Sequence, residues 1–266
     1  MLLGFLVVFG PILGSVMLAV LLERLAPARS HNTDILRPLH AAVLYLVGIV
    51  GVFLIVPAGH LGVVLYVDDT GFGVFNWLGV SGLLLTLLGV AILDLSEWVS
   101  HYLLHRLPVL WRIHKVHHSD LSIDISTGYR FHPIETILRF LVGLGAVLAF
   151  GLNEAAVVTY GILVLIFNTW EHANVTMPRA LRALQTVLVT PELHRVHHSR
   201  HPDHLHSNFG VFFSLWDRFF GTLVIADAPD TLDYGLASEE ETPPDRLGDL
   251  LAAPLQKGVG PDAHGS

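Results

Sequence analysis

Three long stretches of this chain carry no charged side chain: residues 1–22, 39–67 and 70–93. A hydrocarbon core is crossed by roughly 20 apolar residues in helical form, and each stretch meets that length. The whole chain is 52% hydrophobic and only 14% charged, whereas soluble domains carry about 25% charged residues. The expected fold is all-α: a polytopic membrane helical protein with a cytoplasmic-face helical cap that carries the clusters described below. A cleaved leader is the rival for the first stretch, since Ala26-Pro27-Ala28 resembles a cleavage site. No Lys or Arg precedes the run, however, and the run is longer than a usual leader core, which favours an uncleaved anchor.

Charge placement orients the helices. The spacing predicts spans over residues 2–22, 40–56 and 77–93, the second stopping at Pro57 and the third continuing to Trp98. Arg24, Arg29 and Arg37 lie in the first connector, and the second connector holds Asp68 and Asp69 with no Lys or Arg. The positive-inside rule puts the first connector in the cytoplasm. The third helix then emerges there, and Arg106, Arg112, Lys115 and Arg130 agree with that side. Two shorter apolar segments, residues 140–152 and 155–170, read as a tilted or half-inserted hairpin or as two full spans. Arg179, Arg182 and Arg195 bring the chain back to the same face. Residues 227–266 hold nine acids against Arg246 and Lys257 and read as a mostly disordered tail. The expected division is therefore N-terminal helices and connector at 1–74, a central domain at 75–226 and a tail at 227–266. The expected location is a bacterial inner membrane with the site on the cytoplasmic face. No basic footprint for nucleic acid is present.

Histidines dominate the central domain, as His101-Tyr-Leu-Leu-His105, His114-Lys-Val-His117-His118 and His194-Arg-Val-His197-His198. Helical positions i, i+3 and i+4 share a face, so each cluster can aim two or three imidazoles at one point. Imidazole suits iron, zinc, copper and nickel. These eight rings exceed what one tetrahedral zinc takes up, so the count points to a pair of metals. His172, where the second short segment emerges, joins the candidate ligands. So does His132, for which a helix-entry role is the equal alternative. His201, His204 and His206 read as loop residues or outer partners, and His31, His40, His60 and His264 as bystanders. Asp94 and Glu97 form a stripe with His101 and His105. An acid at the membrane end of a helix is normally paired, so both read as carboxylates that hold imidazole N–H groups, as direct ligands, or as snorkelling side chains. The chain has no cysteine, which excludes thiolate-ligated haem and cysteine-bound iron–sulfur clusters. No GxGxxG, P-loop, HExxH or GxSxG pattern is present.

At these residues the chain resembles the fatty acid hydroxylase/sterol desaturase superfamily, whose hallmark is HxxxH, HxxHH and HxxHH. Supporting similarities are Asp94, the His132-Pro-Ile-Glu135 and His172-Ala-Asn174 segments, Asn208-Phe-Gly210 and the run from Trp216 to Thr222. The resemblance covers about residues 75–225. It implies two iron ions (zinc being possible in isolated protein), O2 as co-substrate, and hydroxylation or desaturation of a sterol-like or fatty acyl C–H bond. It adds Asn208 to Asp94 and Glu97 as catalytic candidates. Electrons would come from a separate ferredoxin, cytochrome or reductase, with Arg112 and Lys115 placed to dock an acidic donor. The alternative is a membrane zinc protein, a hydrolase or a metal carrier. A carrier, however, should place its ligands at the bilayer midplane, not at helix ends.

Overall fold

The structure is a computed structural model that describes residues 2–30, 32, 34–236 and 246–256. Among the described residues there is no β-strand, only three isolated antiparallel bridges. Helix α1 runs Leu2–Leu25 and α2 runs Leu36–Ile55. Proline disfavours helical backbone in the residue before it, and Val56, ahead of Pro57, has left the helix at φ −130° and ψ 77°. The stretch expected to be a connector is itself largely helical, with α3 at Gly59–Thr70 and α4 at Val74–Trp77. Gly71 closes α3 at φ 64°, a conformation only glycine adopts freely.

The helix α5, Gly82–Arg106, is 25 residues long, about 37 Å at the helical rise, enough to cross a bilayer and project from it. A single extended residue, Leu107, separates it from α6, Pro108–His118. The corner follows from Pro108, which bars helix at Leu107 and starts the next helix at its first position. The two short apolar segments are complete helices forming a hairpin, α7 at Pro133–Phe150 and α8 at Glu154–His172. Asn153 caps α8 by accepting the Ala156 N–H at 3.0 Å. Short elements complete the chain: a 3-10 turn at Arg179–Thr186, then α9 at Pro191–His197, α10 at Pro202–Leu205, α11 at Leu215–Phe220 and α12 at Leu247–Ala252.

Helix α7 packs on α2, α3 and α5, while α8 packs on α5 and α1. The approach of α2 to α7 is close: a Cβ on Gly48 would stand 2.7 Å from Thr136. Val64, Val90, Leu93, Val147, Leu152 and Tyr160 form the core between these helices. The opposite faces carry exposed apolar side chains, among them Val50, Phe53 and Leu54 on α2 and Leu83, Leu84 and Leu87 on α5. Apolar side chains turned outward in this number suit lipid rather than water. Three segments, Leu36–Trp77, Gly82–Arg106 and Pro133–Phe150, are long and apolar enough to cross a membrane. The chain is a membrane protein.

The expectation of a disordered tail does not hold where the tail is described. Leu250 on α12 is fully buried against Leu44 and Val116, and Asp230 pairs with Arg195 at 2.7 Å. The acidic composition masked a short apolar pattern, Leu247, Leu250 and Leu251, at helical spacing. Residues 237–245 and 257–266 of that tail, with His31 and His264, lie outside the described residues.

Candidate metal centre

The last turns of α5 carry His101 and His105; α6 carries His114, His117 and His118; α8 ends on His172; α9 carries His194 and His197, with His198 capping it. Each of these nine rings is at most 2% exposed. They sort into two groups, His101, His105, His114, His118 and His197 in one and His117, His172, His194 and His198 in the other. Within each group one nitrogen per ring lies within 4.8 Å of the rest.

An HxxHH box therefore does not aim all its rings at one point. Positions i and i+4 serve one group and position i+3 the other. Successive residues on a helix diverge by about 100°, and the adjacent rings His117 and His118 meet at 88°, His197 and His198 at 90°. The two boxes exchange one ring each: His197 crosses to His114 and His118, and His117 crosses to His194 and His198.

The outward nitrogens of four rings are occupied. His101 Nδ1 donates to Phe209 O at 2.9 Å, His172 Nδ1 to Asn168 O at 2.7 Å, His197 Nδ1 to Ser207 O at 2.7 Å, and His114 Nδ1 to Glu135 Oε1 at 2.9 Å. A proton held on Nδ1 leaves the Nε2 lone pair facing inward, the tautomer a metal ligand needs. The inward nitrogens crowd together, with Nε2–Nε2 distances of 3.2 Å for His101–His114, 2.9 Å for His172–His194 and 3.0 Å for His194–His198. Both ring nitrogens of His105 and of His118, and His197 Nε2, find no hydrogen-bond partner among the described residues. A buried polar atom left unpaired costs about 1–3 kcal/mol, and these cluster where the groups converge. One cation in the five-ring group would take up one nitrogen of each of these three rings, and an all-imidazole set suits a transition metal.

Burial first, and then the neighbouring imidazoles, hold the rings of His117, His118, His194 and His198 well below the ordinary histidine range, and His197 is brought down to about 3. All are neutral at pH 7 and free to bind metal. The linkage has a definite sign. The unfolded chain takes up protons on these rings below about pH 6.5 while the fold refuses them, so stability is full above that pH and falls as pH drops toward 3. The slope is up to about 1.4 kcal/mol per pH unit for each ring. Metal-free protein should melt at markedly lower temperature at pH 5 than at pH 8, and equal melting temperatures would contradict the buried neutral cluster.

The other sequence candidates stand outside the rings. His132 is the cap of α7: its Nδ1 accepts the Ile134 N–H at 3.2 Å and its Nε2 donates to Leu251 O at 3.3 Å. It belongs to neither histidine group, because Pro133 starts the helix and leaves the ring as its cap, against Leu251 of α12. Among the described residues Asp94 pairs with no imidazole. It accepts from the backbone N–H of Phe212 and Phe213, Trp216 Nε1 and Tyr160 Oη. Glu97 pairs with Arg139 at 2.9 Å. Asn208 sits at φ 55° and donates to Leu193 O and Val224 O. Its left-handed turn separates Ser207 from Phe209, so that their carbonyls reach His197 and His101. Lys115 is 5% exposed, so a donor-docking role falls to the exposed Arg112 alone of the pair. Two carboxylates that were not among the candidate site residues lie against the rings. Glu135 holds His114, and Glu171 lies 3.7 Å from the Nδ1 atoms of both His172 and His194. An acid next to a histidine at the end of an apolar helix was the available signal for Glu171.

A family model described as fatty acid hydroxylase matches residues 86–222. Ornithine lipid hydroxylase OlsE of Rhizobium tropici is 28% identical over 152 residues, 57% of this chain and 45% of that protein. Alkylglycerol monooxygenase of Danio rerio is 31% identical over 152 residues, 57% of this chain and 32% of that protein. Human cholesterol 25-hydroxylase is 28% identical over 138 residues, 51% of this chain and 50% of that protein. This chain thus spans between about a third and a half of those proteins. No solved structure matches. The family match begins in α5, ahead of the first histidine pair, takes in all nine clustered rings and extends over just over half of the sequence, so the chain belongs to the fatty acid hydroxylase family.

Proposed function

We propose that this chain is a membrane-bound, O2-dependent di-iron monooxygenase that hydroxylates a lipid C–H bond with electrons from an external donor. The observation that carries the proposal is the sorting of nine buried imidazoles into two all-nitrogen groups. Five rings in one group exceed the tetrahedral set of a structural zinc, which favours iron over the zinc alternative. The relatives are named as hydroxylases and monooxygenases, which favours oxygen insertion over desaturation. Two iron ions would supply O2 activation and attack on an unreactive C–H bond.

The protein's own part is placement and exclusion of water. Phe209 O, Ser207 O, Asn168 O and Glu135 fix ring orientation. A largely apolar cavity of about 340 Å³ opens between α2, α5, α7 and α8, a size suited to a small ligand or part of a lipid. Phe131 and Asn168 in its wall also touch His117 and His172, so a chain seated there lies next to the centre. The cysteine-free sequence supports an outside electron source, and Arg106 and Arg112 are exposed beside α6. Arg24, Arg29 and Arg37 support a cytoplasmic site, as in a bacterial inner membrane.

The test is a lipid mass-spectrometric comparison of host cells carrying the intact chain with cells carrying His197→Ala. The expected result is a lipid that gains one oxygen only with the intact chain. A lipid that only loses two hydrogens would make the enzyme a desaturase. Identical profiles, with the protein expressed and its donor present, would refute the oxygenase.

A further inference from the structure

Arg139 lies one helical turn beyond Glu135 on α7, in the wall of the lipid cavity and in neither histidine group. Its Nε donates to Glu97 Oε2 at 2.9 Å, a terminal nitrogen stands 2.9 Å from the same oxygen, and the other donates to Glu135 Oε1 at 3.2 Å. That Glu135 oxygen is the one that accepts His114 Nδ1–H. The guanidinium also lies over the Phe131 ring, 5.3 Å from its centroid. Phe131 in turn stacks on His117 with centroids 4.6 Å apart. One cation thus stands behind a ring of each group, His114 through a carboxylate and His117 through an aromatic plane.

We propose that Arg139 is the positioning residue of the metal centre, holding His114 through Glu135 and His117 through Phe131. The inference rests on the two-metal reading above and goes beyond it in assigning a residue that touches neither metal group. Glu135 is fully buried, and its second oxygen finds no hydrogen-bond partner among the described residues. Its direction is therefore set by His114 and Arg139. Without Arg139 the carboxylate is free to turn about its last bond and the His114 ring loses its orientation. A planar, forked cation is required because the same group must bridge two carboxylates and lie flat on a ring, which an ammonium does not do. Among the described residues Arg139 is the cation paired with both Glu97 and Glu135, so its loss leaves two acids unbalanced within the membrane helices.

The test is cobalt(II) binding by the purified full-length chain, read by equilibrium titration and by the visible ligand-field bands. Arg139→Gln and Glu135→Gln should each weaken cobalt(II) binding about 10–100-fold, the usual effect of losing a partner behind a ligand. Both should shift the bands, with helical content and elution unchanged. The double variant should bind no more weakly than the weaker single, because the two residues act in series. If Arg139→Gln does not fold, Arg139→Lys keeps the charge and should still shift the bands. Unchanged affinity and bands in the folded variant, or losses that multiply in the double variant, would overturn the proposal. Intact protein that binds no cobalt(II) would instead bring down the metal-centre reading, and this inference with it.

Discussion

His197→Ala protein is expected to lose the metal of the five-ring group and all measurable lipid oxidation, while His194→Ala loses the metal of the four-ring group. The two residues are one helical turn apart on α9, in one short sequence motif, yet they serve different groups. His197 is the sole ring that α9 gives to the group built by α5 and α6. His194 touches both His172 and His198 within 3.0 Å. Partners one step behind a metal ligand are worth about 10–100-fold, so removal of a ligand itself should exceed about 100-fold. His132→Ala is the control. Its ring caps α7, and its loss should cost about 1 kcal/mol of stability with both metals retained. Metal per chain and product formed, measured on the three variants side by side, check the assignment. Equal metal loss from the same position in both α9 variants would refute the exchange of rings between the boxes.

What the sequence made legible was whatever depends on local geometry. The nine clustered histidines were all among the candidates, since spacing along a helix determines which side chains can share a face. Their division into two groups was not readable, because it depends on how α6 and α9 face each other. The Asp94 stripe shows the limit of the same argument. Asp94, Glu97 and His101 do follow helical spacing, but this part of α5 has neighbours on several sides, and Asp94 meets α8 and the segment 212–216 while Glu97 meets α7. The acceptors that orient His101, His172 and His197 are backbone carbonyls, to which no residue type points. Pro57 was read as a boundary and does follow the end of α2, and Pro108, Pro133 and Pro191 each begin a helix, whereas Pro11 lies inside α1. Pro133 also explains His132: a residue forced into extended backbone before a proline is placed to cap the helix, not to face its interior.

Asp94→Ala should be the most destabilising single change in the centre, and it should release the five-ring metal before the other. The carboxylate is 1% exposed and accepts from Phe212 N, Phe213 N, Trp216 Nε1 and Tyr160 Oη at 2.8–3.3 Å. Alanine leaves those donors without their shared acceptor. At about 1–3 kcal/mol for each unpaired group, partly relieved by relaxation, the loss is on the order of 4 kcal/mol. The consequence for the metal follows from what the loop carries. Phe209 O and Ser207 O, just ahead of the clamped residues, hold His101 and His197, and both rings belong to the five-ring group. In the four-ring group His172 is oriented by Asn168 O on α8, which Asp94 does not touch. Asp217 grips the same loop from its other end through Phe209 N and Gly210 N, each at 2.8 Å. The loop should therefore loosen at 212–216 rather than detach, leaving enough folded protein to measure. Thermal unfolding in detergent, followed by metal analysis of the surviving fold, gives both readings. Wild-type melting with full five-ring occupancy would show that Asp94 acts elsewhere, whereas equal loss of both metals would show that the two groups are held as one unit.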